Sequence, residues 1–414
     1  MSNEVFIRRR AMIAERMKDD SVLFMFAGQP VQRTEDQDYH FAPNRNFYYM
    51  TGLEEATTVL MISKVSGKVT HTLFVPRPDP YQEKYFGKMK DVDAYQELTG
   101  VDEAYYLDKM DWNVERFISR NPVNDLYMDF TKRNVDYTVS MENAYCRRLV
   151  DSFPYLRVRN IRQEICNMRR FKDATEIANM RKAIEITGKG IEAILRNLKE
   201  GVWEYQLQAH FEFALKYYGA MGNAFYPIIA GGKNSVYLHY EDNNQQLHNG
   251  DLLLLDLGAE YNYYAADISR TFPVGGHFSE RQAYYYQAVL DAQNAVIDFL
   301  KPGVPVDETV DVVNEVLADY ALRDGLIKEK SEIVKYFSHG VSHYIGLDTH
   351  DVGDRNLLQP GMVVSMEPGI YIPEEGIGIR IEDDALITET GCEVLSADLA
   401  PKTIEEIEKF LAEA

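Results

Sequence analysis

The stretch 251–270, DLLLLDLGAEYNYYAADISR, constrains this chain more than any other. Apolar residues 252–255 and 263–268 read as two strands of a hairpin, with Glu260, Tyr261 and Asn262 between them. If Tyr261 and Asn262 form a two-residue loop, with Asn262 tolerating the positive φ of a primed turn, Asp256 stands directly opposite Asp267. Opposed side chains in a hairpin have Cβ atoms roughly 4.5–5.5 Å apart, so two like charges meet among apolar neighbours and repel. A metal ion between them removes the conflict, because hard cations take carboxylate oxygens and cancel both charges. The other reading places one aspartate in a solvent-facing turn and hydrogen-bonds its partner to backbone.

A chain of 414 residues is long for one core, which predicts two domains. Residues 1–160 alternate strands with helices: a helix at 4–18 with Arg8, Arg9 and Arg10 on its solvent side, a strand at 21–26, an aromatic, turn-punctuated run at 36–55, strands at 57–63 and 71–75, a helix at 91–98, a strand at 104–107, a helix at 112–119 and a strand at 125–130. That order predicts an α/β N-terminal domain, and it contains no nucleotide-binding glycine loop. Residues 161–414 differ in texture. Asp173 with Glu176 forms a capping box that opens a helix running to Gly201, and a second helix covers 203–218. After the hairpin the same plan recurs, with helices at 280–300 and 306–323, irregular chain with histidines, and a hairpin of 362–371 with 376–387. Two halves of similar plan suggest an internal duplication with a site between them.

Acidic residues outnumber basic ones by 65 to 44, a net charge of −21, which disfavours nucleic acid and anionic membranes as partners. Cys146, Cys166 and Cys392 are scattered, form no CxxC pair and are expected to be reduced. Residues 1–20 lack the apolar core of a signal peptide, and no uncharged apolar run approaches the ~18 residues of a membrane span. A soluble, cytoplasmic protein is expected.

The second half carries three of the nine histidines in SHGVSHYIGLDTHDVG, residues 338–353. SMEPG follows at 365–369, and IGIRIEDD at 377–384. Strand alternation puts Ile377, Ile379 and Ile381 on one face and Gly378, Arg380 and Glu382 on the other. Glu367 and Glu382 on partner strands thus repeat the arrangement of Asp256 and Asp267. If the halves pack face to face, four carboxylates and a histidine converge, and that much charge calls for more than one divalent cation. Such a pair lowers the pKa of a shared water and makes hydroxide available to attack a carbonyl. Oxygen-rich ligation with one imidazole favours Mn2+, with Zn2+, Co2+ and Fe2+ as other fits.

The set Asp256, Asp267, His343, Glu367 and Glu382, within HGVSHYIGLDTHDVG and SMEPGIY, resembles the metal-dependent pita-bread peptidases, most closely the Xaa-Pro aminopeptidases (aminopeptidase P). DQDYHFAPNRNFYYMTGLEE resembles the N-terminal domain of the same family, so the likeness spans nearly the whole chain. The resemblance implies an α/β creatinase-N-like domain over 1–160 and an α+β pita-bread catalytic domain, pseudo-two-fold by duplication, over 161–414. It implies that Asp256 binds one metal, that Asp267 and Glu382 bridge, and that His343 and Glu367 complete the second site. Glu367 would also relay a proton between a bridging hydroxide and the leaving imino nitrogen, His239 and His350 would contact peptide and developing oxyanion, and Arg380 would hold the carboxylates. The implied activity is release of the first residue from peptides with proline second, in a homodimer or homotetramer. A prolidase acting only on Xaa-Pro dipeptides shares the five ligands; a metal-free binding module and a creatinase-like amidinohydrolase are disfavoured by the intact acids. Tyr226, Tyr237 and Tyr240 are candidates for the wall that holds the proline ring. His339 reads as lying behind the ligands or structural, and His210, His248 and His277 as structural. A Glu–Asp–Asp cluster such as 382–384 would ordinarily be a solvated turn; the oily strand and the family motif single out Glu382, and Asp383 and Asp384 stay unassigned. Larger family members insert a longer loop between Glu367 and Glu382 than this chain has.

Overall fold

The computed structural model describes residues 3–130, 140–354 and 357–413, and the chain parts into two units, Met1–Met168 and Arg169–Ala414. In the first, β1 (Ser21–Phe26) is apolar and buried along its whole length, which places it inside a sheet rather than at an edge. It pairs antiparallel with β2 (Val59–Val65), which turns back into β3 (Lys68–Val75); β4 (Glu103–Tyr106), β5 (Asp125–Met128) and β6 (Arg157–Asn160) complete the order β4-β3-β2-β1-β5-β6. Helices α1 (Asn3–Arg16), α2 (Arg45–Thr51), α3 (Glu83–Phe86), α4 (Val92–Thr99), α5 (Met110–Arg120) and α6 (Met141–Ser152) surround it, and the ring of Tyr145 closes edge-on over Phe24 and Phe26.

Arg8 faces solvent as expected, but Arg9 and Arg10 do not: both are buried. Arg10 donates from Nη1 to the Met50 carbonyl at 2.9 Å and from Nη2 to the Thr99 carbonyl at 2.6 Å, while Arg9 lies over the Tyr49 ring at 3.9 Å and reaches the Tyr49 carbonyl. Those carbonyls end α2 and α4, where no helical N–H remains to satisfy them. The guanidinium forks supply the missing donors.

Helix α7 (Arg162–Arg169) leads to the second unit, whose helices are α8 (Ala174–Leu195), α9 (Glu204–Tyr217), α10 (Glu280–Phe299), α11 (Thr309–Asp324) and the C-terminal α12 (Ile404–Glu413). The Asp173–Glu176 capping box is formed. The helix it opens stops at Leu195 rather than Gly201, because the Asn197 side chain donates to the Ala193 carbonyl at 2.8 Å and closes the last turn early. The strands are short: β7 (Gly222–Asn223), β8 (Ile228–Gly231), β9 (Leu252–Leu257), β10 (Ala259–Tyr261), β11 (Tyr264–Ala265), β12 (Ile268–Pro273), β13 (Val363–Met366), β14 (Gly369–Ile372), β15 (Ile377–Arg380), β16 (Asp383–Ile387) and β17 (Cys392–Val394). They form sheets ordered β12-β9-β8, β11-β10-β7, β13-β16-β17 and β14-β15, over a core that includes Leu253, Leu255, Phe272, Ile370 and Ile379.

The hairpin turns one residue later than expected. Asn262 and Tyr263 both have positive φ, 49° and 65°, as both central positions of a type I′ turn require. The positive φ of Tyr263, a bulky residue, is the departure from the expected turn. Tyr261 therefore pairs with Tyr264 and Asp256 with Ser269, so Asp256 and Asp267 are diagonal neighbours rather than an opposed pair. Between the two ladders, Gly258 passes so close to the other strand that a Cβ on it would lie 2.0 Å from the Ala266 carbonyl oxygen. In the second hairpin, Met366 pairs with Asp383 and Gly369 with Arg380, which leaves Glu367 and Pro368 facing Ile381 and Glu382 at a break in the ladder. No helix among the described residues is long and apolar enough to cross a membrane, and no disulfide joins the three cysteines.

Candidate active site

Four short segments deliver the acids. Asp256 leaves β9, Asp267 lies between β11 and β12, Glu367 follows β13, and Glu382 stands between β15 and β16. His343 arrives on irregular chain whose position is set by backbone bonds: the Ser365 amide donates to the His343 carbonyl at 2.9 Å, and the His343 amide to Ser365 Oγ at 3.0 Å. Its Nδ1 lies 3.1 Å from its neighbour's carbonyl, at Tyr344, a contact that turns Nε2 toward the acids. Nε2 is 3.4 Å from Asp267 Oδ2 and 3.5 Å from Glu367 Oε1.

All five expected ligands are brought together. One ligand atom from each of Asp256, Asp267 and Glu382 lies within 4.8 Å of the others, and the same holds for His343, Glu367 and Glu382. A third trio, Asp267, His343 and His350, meets the same limit. The His350 ring, 4.2 Å from that of His343 between centroids, is exposed on the cavity side. Burial pushes the Asp267 carboxyl well above the ordinary range, with Asp256, Asp384 and Glu367 adding to it. Burial likewise raises Glu382, with Asp267, Glu367 and Asp256 contributing, and raises Glu367 against the pull of His343 and Arg380.

Among the described residues, one cation bonds these acids directly. Arg380 donates from Nη2 to Asp256 Oδ2 at 2.7 Å, from Nε to Ser269 Oγ at 2.8 Å and from Nη1 to Tyr371 Oη at 3.0 Å. Ser269 Oγ in turn donates to Glu382 Oε2 at 2.8 Å. One guanidinium cannot neutralise four carboxylates, and Asp256 Oδ1 is buried with no hydrogen-bond partner among the described residues. An oxygen-rich donor set with an orphaned, buried carboxylate oxygen fits a site for hard divalent cations.

Tyr371, Asp383 and Asp384 add what the sequence argument missed. Tyr371 Oη joins Arg380 to His339 Nε2, 2.9 Å away; its signal was strand alternation, which puts it on the face of Gly369, where a Cβ would lie 2.7 Å from that hydroxyl. Burial pushes His339 down to about 4, with Arg380 nearby, so it stands neutral behind the ligands. Asp383 and Asp384 are not a solvated turn, for both are fully buried. Asp383 accepts from Arg270 Nη2 at 2.7 Å and Ser396 Oγ at 2.6 Å, and Asp384 Oδ2 from the Asp267 amide at 3.4 Å. Their partners lie outside the local sequence window, which is why local sequence read them as wet.

The acids open onto a cavity of about 900 Å³ lined also by His239, His350, Arg380, Phe225 and Tyr226. Of the three expected wall tyrosines only Tyr226 lines it. Tyr240 instead donates its hydroxyl to Glu204 at 2.8 Å.

The sequence profile of metallopeptidase family M24 matches residues 178–389, just over half the chain, and that of the aminopeptidase P N-terminal domain matches residues 6–127. The chain belongs to metallopeptidase family M24. This M24 chain is a metal-dependent aminopeptidase, a hydrolase with an aminopeptidase P N-terminal domain and a pita-bread catalytic domain. It is 34% identical over 448 residues to an Xaa-Pro aminopeptidase of Escherichia coli (strain K12), covering 100% of this chain and 99% of that protein. It is 28% identical over 473 residues to a human Xaa-Pro dipeptidase, covering 99% and 93%. A solved Bacillus anthracis structure, provisionally described as an aminopeptidase P, matches with a TM-score of 0.97 at 41% identity, covering 100% of this chain and 99% of that one.

Proposed function

We propose that this M24 chain is a dinuclear-metal aminopeptidase that releases the first residue of peptides whose second residue is proline. The observation that carries the reading is the convergence of Asp256, Asp267, Glu367, Glu382 and His343 at the wall of one cavity, with one buried Asp256 oxygen lacking a hydrogen-bond partner among the described residues. Asp256 would hold one metal, His343 and Glu367 the other, with Asp267 and Glu382 shared between them. The metals, Mn2+ first and Zn2+, Co2+ or Fe2+ next by the oxygen-rich set, supply Lewis acidity and an acidified water when bound.

The chain's own residues do the rest. Glu367 borders the cavity with a raised carboxyl, and in that position it takes a proton from the attacking water and passes it to the imino nitrogen as the C–N bond breaks. Burial lowers His350, helped by His343 and His239, so it is neutral near pH 7 and donates an N–H to the carbonyl oxygen as charge develops there. His239 faces the same cavity and shares that task. Arg380 holds Asp256 and, through Ser269, Glu382 in register.

An Xaa-Pro bond is a tertiary amide without an N–H, so a peptidase that binds by strand pairing loses a hydrogen bond there. A site that grips the amine and the carbonyl does not need it, and Phe225 and Tyr226 on the cavity wall would give the pyrrolidine aromatic surface to pack against. The Escherichia coli relative's name supports this substrate class; the human relative's name favours a dipeptidase as the second reading. Hydrolysis of an Xaa-Pro-Yaa tripeptide beside the matching Xaa-Pro dipeptide, by chelator-stripped protein with and without Mn2+, decides. Metal-dependent release of the first residue from the tripeptide is expected. Cleavage of the dipeptide alone would make it a prolidase, and cleavage of neither with any divalent ion would sink the peptidase reading. A cytoplasmic homodimer or homotetramer completes the proposal, and a monomer by light scattering would contradict that part.

A further inference from the structure

The segment that carries His339, His343 and His350 has no helix and no strand, yet it must hold imidazoles in place to a fraction of an ångström. Beside His350 sits Asp351, whose side chain is 1% exposed. One of its oxygens accepts from Arg169 Nη2 at 2.5 Å and the other from Lys172 Nζ at 3.1 Å, and both cations are themselves buried, at 3% and 0%. Arg169 Nη2 also reaches Asp348 Oδ2, at 2.6 Å.

The loop is folded tightly around this carboxylate. The Asp351 amide donates to the Tyr344 carbonyl at 2.7 Å, the Gly346 amide to the Asp348 carbonyl at 3.1 Å, and the Ala265 amide to the Gly346 carbonyl at 2.9 Å. A Cβ on Gly346 would lie 2.3 Å from Asp351 Oδ2 and 3.0 Å from Lys172 Cε. The cations are fixed too. Arg169 ends α7, Lys172 immediately precedes the Asp173 cap of α8, and the Lys172 amide donates to the Gly361 carbonyl at 2.8 Å.

A buried ion pair is a poor device for stability, because apolar residues of equal volume often serve as well or better. Its distinctive property is directional: two charged donors accept only one placement of the carboxylate between them. We propose that Asp351, clamped between Arg169 and Lys172, is a positioning residue that sets the place of His350 on the cavity wall. The proposal rests on the reading of His350 as a substrate-side histidine. It assigns to Arg169 and Lys172 a part in turnover although neither lines the cavity.

The test is a mutant cycle on the metal-loaded, full-length enzyme, read as kcat and KM for an Xaa-Pro-Yaa tripeptide. Asp351→Asn keeps the size and the backbone amide but removes the charge. It should lower kcat about 10–100-fold in the otherwise unchanged chain, with KM changed much less. In a His350→Ala background the same change should cost less than about twofold, because the residue through which Asp351 acts is gone. An equal loss in both backgrounds would overturn the proposal, since that is what general destabilisation produces. Should Asp351→Asn not fold, Lys172→Met, which leaves the Arg169 pair standing, takes its place in the cycle. A second readout is independent of activity: in a crystal structure of either variant, the His350 ring should leave its 4.2 Å contact with His343. A ring that stays put refutes the clamp. Were His350→Ala alone to keep full activity, the substrate-side reading would have failed, and ring position would still decide for or against the clamp.

Discussion

Gly258→Ala offers a sharp test of how the first hairpin builds the site. The added methyl would lie 2.0 Å from the Ala266 carbonyl oxygen and 2.8 Å from the Phe225 ring, whereas ordinary contact begins at 3.4 Å. A ring can turn aside, but a backbone oxygen cannot, so the strand must retreat by more than an ångström. Ala266 is joined directly to Asp267, whose carboxylate oxygen belongs to the trio held within 4.8 Å. Ligand distances at hard divalent cations tolerate only about 0.2 Å, and a misplacement of about 1 Å can cost roughly a hundredfold in rate. Mn2+ affinity and tripeptide turnover should therefore fall together, turnover by about 100-fold. Overpacking costs about 1–3 kcal/mol, which at roughly 2–4 °C per kcal/mol lowers the Tm of a unit of this size by about 2–12 °C, so the variant remains folded at room temperature. Calorimetric titration of chelated protein with Mn2+, a tripeptide assay at saturating metal and a thermal melt supply the three readings. Gly222→Ala, in open space at negative φ, is the control and should change none of them appreciably. A folded Gly258→Ala protein with wild-type metal affinity and turnover would refute the claim that this close approach positions Asp267.

Arg380→Met removes the cation bonded to Asp256 and should destabilise the chelated protein by about 3–5 kcal/mol, but the Mn2+-loaded protein by less, since metal then carries the compensating charge; equal shifts in urea midpoint with and without metal would contradict this. Because the folded carboxyls of Asp267 and Glu382 are raised, the metal-free fold binds more protons than the unfolded chain, and its stability should fall as pH rises from about 4 through their folded values. The Tm gain on adding Mn2+ should accordingly be larger at pH 8 than at pH 5, and a gain that shrinks with pH would count against the charge cluster. Asp125 in the first unit has the opposite sign: burial alone would raise it, but bonds from Arg159 and Arg157 hold it below the ordinary range. Its contribution is complete above about pH 4 and is lost as pH falls through its folded value, so Asp125→Asn should flatten the acid limb of hydrogen exchange in β5, and an unchanged limb would show the pairing to be idle.

The residues legible in the sequence were those that violate their surroundings. Asp256 interrupts a run of leucines with no counter-charge beside it in sequence, and Glu382 ends a strand of alternating isoleucines on which Arg380 is the single cation. Arg9, Arg10, Asp383 and Asp384 were misread for the converse reason. Their partners, among them the Thr99 carbonyl, Arg270 and Ser396, lie outside the local sequence window, so a local pattern cannot tell a buried charge from a wet one. Tyr371 went unassigned because a tyrosine on an apolar strand needs no explanation until its hydroxyl is seen between Arg380 and His339. The register error is more instructive, since it left the prediction of convergence standing. Had Asp256 and Asp267 been an ordinary opposed pair, sliding the turn by one residue would have parted them. Both hairpins instead interrupt their ladders where an acid stands, at Gly258 facing Asp267 and at Glu367 and Pro368 facing Ile381 and Glu382. At such a break the backbone no longer dictates the pleat, and carboxylates from different strands can turn toward one point. Gly258 and Pro368 are the visible marks of those breaks, so the punctuation of the hairpins says more about this site than their pairing does.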